Sequence, residues 1–159
     1  MAVPQAQEQQ VNFLLASGTL SVEGSFTWKQ SNEKSWYKVM IPVKCTATKP
    51  VAIRIVISVS YLDREQRNFV LLWNNNIRVR ALCIKGNHGN KHTNDEEWIR
   101  RMHKHRWTDA CHDRFAYTPT DITETTIQGI LTQFCAECGI VCHATIAELS
   151  TQGFAFDDL

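Results

Sequence analysis

Residues 51–61 read VAIRIVISVSY, and this run decides the fold class of the chain. Branched aliphatic residues occupy every second position: Ile53, Ile55, Ile57 and Val59. Arg54 and Ser58 fall between them. Because successive side chains of a strand point to opposite faces, the run predicts a strand with one buried and one more polar face.

Segments on both sides of this run also have strand composition: 25–30, 35–45, 68–73 and 77–85. Asn74, Asn75 and Asn76 separate the last two segments, and asparagine tolerates the left-handed conformations of a tight hairpin. In the last segment, alternation places Ile77, Val79, Ala81 and Cys83 on one face, and Arg78, Arg80 and Leu82 on the other. The sequence therefore predicts consecutive antiparallel strands with one buried face.

The apolar period changes from two to that of a helix after residue 120. The apolar positions are Ile127, Ile130, Leu131, Phe134 and Cys138. Thr120 and Asp121 are suitable caps and Gly139 is a suitable stop, so a helix is expected over 121–138. We expect a second short helix over 144–149, a small helix ending near residue 16, and a flexible stretch over 1–10. The expected fold is α+β, with an antiparallel sheet of about five to six strands packed against a C-terminal helix.

Length and composition indicate one domain over residues 1–159, because 159 residues with 43% hydrophobic content suffice for a single core. The net charge is only +1, but no lysine or arginine follows Arg114. A basic face in the earlier part suits an anionic partner such as RNA or DNA, unless the acidic C-terminal part packs against it. The N-terminus lacks a signal-peptide pattern and no apolar run is long enough to span a bilayer. We therefore expect a cytoplasmic protein, not bound to a membrane, with reduced cysteines.

Five of the six histidines fall between His88 and His112. His88 and His92 lie in a stretch rich in glycine and asparagine, while His103 and His105 lie among arginine and lysine. Histidine titrates near neutral pH and also ligates metals. The cluster therefore indicates phosphate chemistry, metal binding or a pH-sensitive contact.

The local structure of residues 98–107 decides whether His103 and His105 can act together. In a strand, both imidazoles share one face, roughly 7 Å apart. In a helix, which the polar stretch 94–97 could begin, they would point about 200° apart. We favour the strand. The alternative to a functional role for the two histidines is that residues 100–106 form a solvent-exposed basic stripe.

Acid–base chemistry on a phosphodiester is the reaction that these residue types favour. One imidazole would deprotonate a ribose hydroxyl or a water and another would protonate the leaving oxygen. The candidate catalytic residues are His92, His103 and His105. The candidate nucleic-acid contacts are Arg78, Arg80, Lys91, Lys104 and Arg106. The candidate supporting residues are His88, Asn94, Asp109 and Tyr117.

Metal binding is the weaker sequence-based interpretation, and we expect neither a metal nor another cofactor. Three imidazoles around an open position would suit catalytic zinc, but no H-E-x-x-H pattern occurs. Zinc binding or redox chemistry is a possible role for Cys135, Cys138 and Cys142. Buried packing is the role that we favour for them. Trp98 and Trp107 bracket the basic stretch and could stack on unpaired bases, with ordinary packing favoured.

Residues 77–140 carry a pattern that resembles the TumE-like toxin–antitoxin proteins and a related prophage-associated family rich in histidine. The matching residues are Arg78, Arg80, His92, Asn94, His103, Lys104, His105, Asp109, Ala116, Tyr117 and Phe134. The resemblance implies a growth-inhibiting toxin that acts on RNA, with a cognate antitoxin as its protein partner.

Three function classes therefore stay open. The first is a metal-independent ribonuclease-like toxin that uses the histidine cluster. The second is a non-enzymatic phage or mobile-element protein that binds and inhibits a host defence complex. The third is a structural or assembly protein. Histidines gathered in one pocket would favour the first class, and histidines spread over a flat surface would favour the second.

Overall fold

The computed structural model describes residues 6–32, 35–85 and 101–149. The described part contains two helices, α1 (Glu8–Leu15) and α2 (Ile127–Glu137). It contains nine strands: β1 (Leu20–Phe26), β2 (Lys29–Gln30), β3 (Trp36–Cys45), β4 (Ile53–Ser60), β5 (Arg67–Trp73), β6 (Ile77–Ile84), β7 (His103–Thr108), β8 (His112–Tyr117) and β9 (Ile140–Ile146). The α+β class and the mainly antiparallel sheet are confirmed, while the expected strand number was too low.

All nine strands join one sheet, with the order β8-β7-β6-β5-β4-β3-β1-β9 and β2 paired to β3. Strands β3 to β8 form a continuous antiparallel meander, so each pairs with its neighbour in the chain. At one end of the sheet β9 pairs with β1 in parallel. The histidine-bearing strand β7 lies near the other end, between β6 and the edge strand β8.

The core lies on one face of this sheet. The alternation of residues 51–61 is confirmed, because Ile53, Ile55, Ile57 and Val59 are all buried. Helix α2 packs over that face, and the rings of Phe134 and Phe69 lie 6.1 Å apart. The helical period of the sequence thus identified the side of α2 that meets the sheet.

The bounds of the C-terminal helix differ from the sequence-based expectation. Helix α2 begins at Ile127 rather than near residue 121, because the Thr126 side chain accepts a 3.0 Å hydrogen bond from the Gly129 amide and caps the first turn. Gly139 follows the helix with φ of +65°, and a Cβ atom there would overlap the Leu15 carbonyl oxygen. This part of the prediction, a glycine stop, is confirmed.

The expected helix over 144–149 was wrong. Residues Ile140–Ile146 form β9, which pairs along its whole length with β1. Ile140, Ala144 and Ile146 are buried, and the free edge of β1 supplies hydrogen-bond partners for the backbone. Local helical preference is therefore overridden by sheet pairing.

Strand β6 departs from the expected pattern of one buried face. Asn74 and Asn75 have φ of 52° and 62°, which confirms the left-handed hairpin before it. The register of β5 with β6 then shifts between Leu71 and Leu72, which is a bulge. Residues 79–83 of β6 are all buried, so both of its faces are covered.

Candidate metal centre

Strands β6 and β7 bring a cysteine and two histidines together. In their antiparallel register Cys83 lies opposite His103, and Ala81 lies opposite His105. Residues His103–Thr108 form a strand, which confirms the interpretation favoured for this segment and places both imidazoles on one face. Because Cys83 shares that face, its thiol adds a third potential metal ligand to the histidine pair.

We call these three residues, Cys83, His103 and His105, the Cys–His cluster. Each offers one ligand atom, a thiol sulfur or an imidazole nitrogen, and these atoms all lie within 4.8 Å of one another. The two imidazole rings meet edge to face, with centroids 4.9 Å apart. The relative exposures of the three residues are 2%, 0% and 6%, so the cluster is buried.

A backbone carbonyl selects the tautomer of His103. Its Nδ1 lies 2.9 Å from the carbonyl oxygen of Arg101. Because that oxygen can only accept, Nδ1 carries the hydrogen in the neutral ring and Nε2 carries the lone pair. Metal-bound histidines commonly donate their second nitrogen to a carbonyl in this way, which fixes the orientation of the ring.

The Cys83 thiol is protonated near neutral pH in this environment. Burial raises the pKa of Cys83 to about 11, and the positive charge of Arg78 lowers the pKa by less than burial raises it. Arg78 itself is paired with Asp113, at 3.1 Å between Nε and Oδ2. A cation that binds sulfur must therefore displace a proton from the thiol.

Lys104 lies between the two histidines in sequence but points to the opposite face of β7. It is 1% exposed. Its Nζ lies 2.7 Å from both carboxylate oxygens of Asp121 and 2.5 Å from Oε2 of Glu137. The Tyr117 hydroxyl donates to the other oxygen of Glu137, at 2.5 Å. We call these four residues the Lys104 network; it ties β7 to the segment before α2, to the end of α2 and to β8.

The structure separates Arg80, Lys104 and Arg106, three of the five predicted phosphate-binding cations, from the imidazoles. Lys104 and Arg106 alternate with His103 and His105 along β7, so the two sets occupy opposite faces. Arg80 is buried and donates to the Val79 carbonyl and to Oδ1 of Asn12. A single phosphate in front of the two imidazoles could not contact these cations in this arrangement.

Two of the predicted supporting residues have other partners. Asp109 exchanges hydrogen bonds with Glu8: its Oδ1 accepts from the Glu8 amide and its own amide donates to Oε2 of Glu8. These two hydrogen bonds connect the first residue of α1 to the residue that follows β7. Tyr117 belongs to the Lys104 network. His88, Lys91, His92 and Asn94 lie outside the described residues.

Sequence reasoning missed Cys83 and the partners of Lys104. Cys83 alternates with Ala81 on β6, but only the register of β6 with β7 places it beside a histidine. Cys135 and Cys138 were expected to be packing residues, and both are fully buried, which raises the pKa of each thiol. Within the described ranges, the Cys–His cluster is the group of three ligands close enough to share a metal ion.

Comparisons with family models, with curated proteins and with solved structures found no match. The resemblance to TumE-like toxins therefore stays a prediction. In the part of the chain that the structure describes, no helix is long and apolar enough to cross a membrane.

Proposed function

We propose that this protein binds one transition-metal ion through the Cys–His cluster. The observation that carries the proposal is the grouping of a thiol and two imidazoles within 4.8 Å in a buried position. Thiolate and imidazole are the ligands that zinc and copper prefer in proteins. The sequence alone favoured a metal-free site, because no H-E-x-x-H pattern occurs and Cys83 belongs to no metal-binding motif.

The spacing of the ligand atoms suits closure around a metal ion. With metal–ligand bonds of about 2.0–2.3 Å, neighbouring ligand atoms of a tetrahedral site lie roughly 3.3–3.8 Å apart. All separations in the cluster are within 4.8 Å, so a closure of at most about 1 to 1.5 Å is needed. The Arg101 carbonyl holds the His103 ring, so Cys83 and His105 are the residues whose side chains would have to move.

The cluster also has a purely structural alternative, in which the three side chains pack without a ligand. The two roles differ in how a metal changes the stability of the folded protein. A ligand that binds only the native protein raises its stability in proportion to the logarithm of its concentration. A packed, metal-free cluster predicts no such effect.

The proposal is tested by titrating the metal-free chain with Zn2+ and with Co2+. We expect one ion per chain, and a cobalt–sulfur absorption band that disappears in Cys83→Ser. Zinc affinity should fall in His103→Gln and His105→Gln. His143→Gln is the matched control, because His143 lies exposed on β9, away from the cluster. Absence of binding, or equal binding by all variants, would contradict the proposal.

Action on a nucleic acid is a second candidate function, favoured by the surface around Arg106. This arginine is exposed, and its guanidinium lies 4.7 Å from the centre of the Phe115 ring and 5.8 Å from that of Tyr117. A cation beside aromatic rings is a common contact for unpaired bases. The toxin hypothesis, with RNA as substrate and an antitoxin as partner, belongs to this candidate.

The second candidate is tested by inducing the chain in a bacterial host and following growth and RNA integrity. The toxin hypothesis predicts that the wild type stops growth and degrades RNA, and that His103→Ala/His105→Ala does neither at equal expression. Growth arrest with intact RNA would favour the alternative of an inhibitor that binds a host complex. Normal growth and intact RNA with the wild type would contradict the ribonuclease hypothesis in that host.

A further inference from the structure

We infer that Cys135 and Cys142 form an intramolecular disulfide when the folded chain meets hydrogen peroxide. Cys135 lies in α2 and Cys142 in β9, so the bond would tie the helix to the strand that follows it. Both thiols are free in the structure, and the oxidant is therefore part of the inference. The inference goes beyond the proposed metal site, because no member of the Cys–His cluster takes part in it.

The alternation of β9 places the Cys142 side chain on the face that α2 covers. Ile140, Ala144 and Ile146 are buried on the face of β9 that meets the core. Cys142 alternates in step with them, so its side chain lies on the same face and packs against the core. The residue is nevertheless partly exposed, since β9 lies at the end of the sheet. A small oxidant can therefore reach Cys142 from solvent.

The packing of α2 on β9 brings Cys135 to the same place. Strand β9 runs back along α2, and the side chain of Gln128, near the start of the helix, donates to the Ala144 carbonyl and accepts from the Ile146 amide. A Cβ atom on a helix is tilted toward the helix N-terminus, so Cys135 leans in the direction in which β9 runs. Its buried thiol forms a side-chain hydrogen bond with Cys142. The two sulfur atoms are therefore already neighbours in the reduced protein.

Sheet geometry separates Cys142 from Cys45, the nearest thiol within the sheet. Leu20 of β1 pairs with Cys45 on one side and with Ile140 on the other. At about 4.8 Å between strands, the Cα atoms of Cys45 and Ile140 lie roughly 10 Å apart, and Cys142 is further away along β9. Bridged cysteines need Cα atoms within about 7 Å, so Cys45 is too distant. Cys138, fully buried at the end of α2, is the competing partner for either thiol.

Oxidation begins at Cys142, because Cys135 is fully buried and burial raises the pKa of its thiol. The Cys142 thiolate attacks one oxygen of the peroxide, the O–O bond breaks, and a sulfenic acid and one water form. The Cys135 sulfur then attacks the Cys142 sulfur. An S–S bond forms, the S–O bond breaks, and the hydroxide leaves with the Cys135 proton as a second water. The peroxide thus accepts two electrons, one from each sulfur.

The test is a peptide map of the full, reduced chain after treatment with a slight molar excess of hydrogen peroxide. The chain is then unfolded in an alkylating reagent, which blocks every remaining thiol. A protease that cleaves after glutamate separates residues 125–137, which contain Cys135, from residues 138–148, which contain Cys138 and Cys142. We expect a disulfide to join these two peptides, with Cys138 alkylated and Cys142 in the bond.

Oxidation of the unfolded chain is the control for the role of the fold. Cys138 is close to both thiols in sequence, so it should compete for each of them when the chain is unfolded. Selective pairing of Cys135 with Cys142 is expected only in the folded chain. The same mixture of pairings in both states, or peroxide consumed without joining the two peptides, would overturn the inference.

Single substitutions assign the bond to its two sulfur atoms. Cys135→Ala and Cys142→Ala should each abolish the joined peptides. Cys138→Ala is the matched control, because it also removes a buried thiol from the end of α2, and it should keep the bond. Loss of the bond in Cys138→Ala, with Cys138 rather than Cys142 protected from alkylation in the wild type, would show that the inference names the wrong partner. The wild-type map decides the pairing without relying on the folding of any variant.

Discussion

The two faces of strand β7 both carry buried polar side chains, yet the two sets differ in charge. On one face His103 and His105 meet the Cys83 thiol, and these groups can all be neutral. On the other face the Lys104 ammonium is held by the carboxylates of Asp121 and Glu137. A buried ammonium is tolerated only when such partners enclose it, whereas neutral imidazoles and a thiol can remain grouped as ligands for a cation.

This difference assigns separate roles to the two faces. The Lys104 network contains its own counter-charges, so it is complete without a ligand and fixes the position of β7. The Cys–His cluster gathers ligand atoms for a cation. Because the residues alternate along one strand, immobilising Lys104 also limits movement of the histidines on either side of it.

Replacement of Lys104 by methionine should cause the largest loss of stability. It removes the cation and leaves Glu137, whose side chain is 19% exposed, without its ion-pair partner. Loss of one member of a buried pair costs about 3–5 kcal/mol in the free energy of unfolding. Urea denaturation measures the loss. Lys38→Met, at an exposed position of β3, should change stability by less than about 0.5 kcal/mol.

A loss below about 1 kcal/mol in Lys104→Met would show that the Lys104 network is not essential to the fold. A double variant, Lys104→Met/Glu137→Leu, sharpens the comparison. It removes the stranded carboxylate together with the cation, so it should be more stable than the single variant.

Metal saturation should have the second largest effect, on the opposite face. A metal present at about 100 times its dissociation constant raises the free energy of unfolding by about 2.7 kcal/mol. Denaturation with and without the ion measures this increase. His105→Gln should lose most of it, and His143→Gln should retain it. An equal increase in both variants would show that the metal binds elsewhere.

Tyr117→Phe should have an intermediate effect that is confined to the Lys104 face. The substitution keeps the ring and removes the hydroxyl that donates to Glu137. Hydrogen bonds to charged groups contribute roughly 1.5–3 kcal/mol, and we expect a loss of about 2 kcal/mol in urea denaturation. Metal affinity should be unchanged. A large drop in metal affinity would mean that the two faces of β7 are coupled.

Arg106→Gln should have the smallest effect on stability. The guanidinium is exposed above the rings of Phe115 and Tyr117, and such contacts contribute about 0.5–1 kcal/mol. Fluorescence anisotropy with a single-stranded RNA provides the second measurement. If the nucleic-acid candidate is right, RNA affinity should fall although stability barely changes. Unchanged affinity for RNA would remove this residue from the contact surface.

The sheet has more strands than the sequence led us to expect, and β4 and β9 show why some strands are easier to predict than others. The alternation in residues 51–61 predicted β4 and its buried face, because alternation is a local property of a strand. The pairing of β9 with β1 joins segments about 120 residues apart, and nothing local in residues 140–146 indicates that partner. A helix was therefore expected where the sheet adds an edge strand.

The sequence by itself favoured a strand over residues 98–107, and with it a shared face for His103 and His105, because any strand places residues i and i+2 on the same side. It also determined which side of α2 is apolar, since a helix repeats its side-chain directions every 3.6 residues. Only the tertiary structure decided that Cys83 is their neighbour and that Asp121 and Glu137 enclose Lys104. The physical reason is that strand register and helix packing set contacts between distant segments, and burial then fixes which of those groups can be charged.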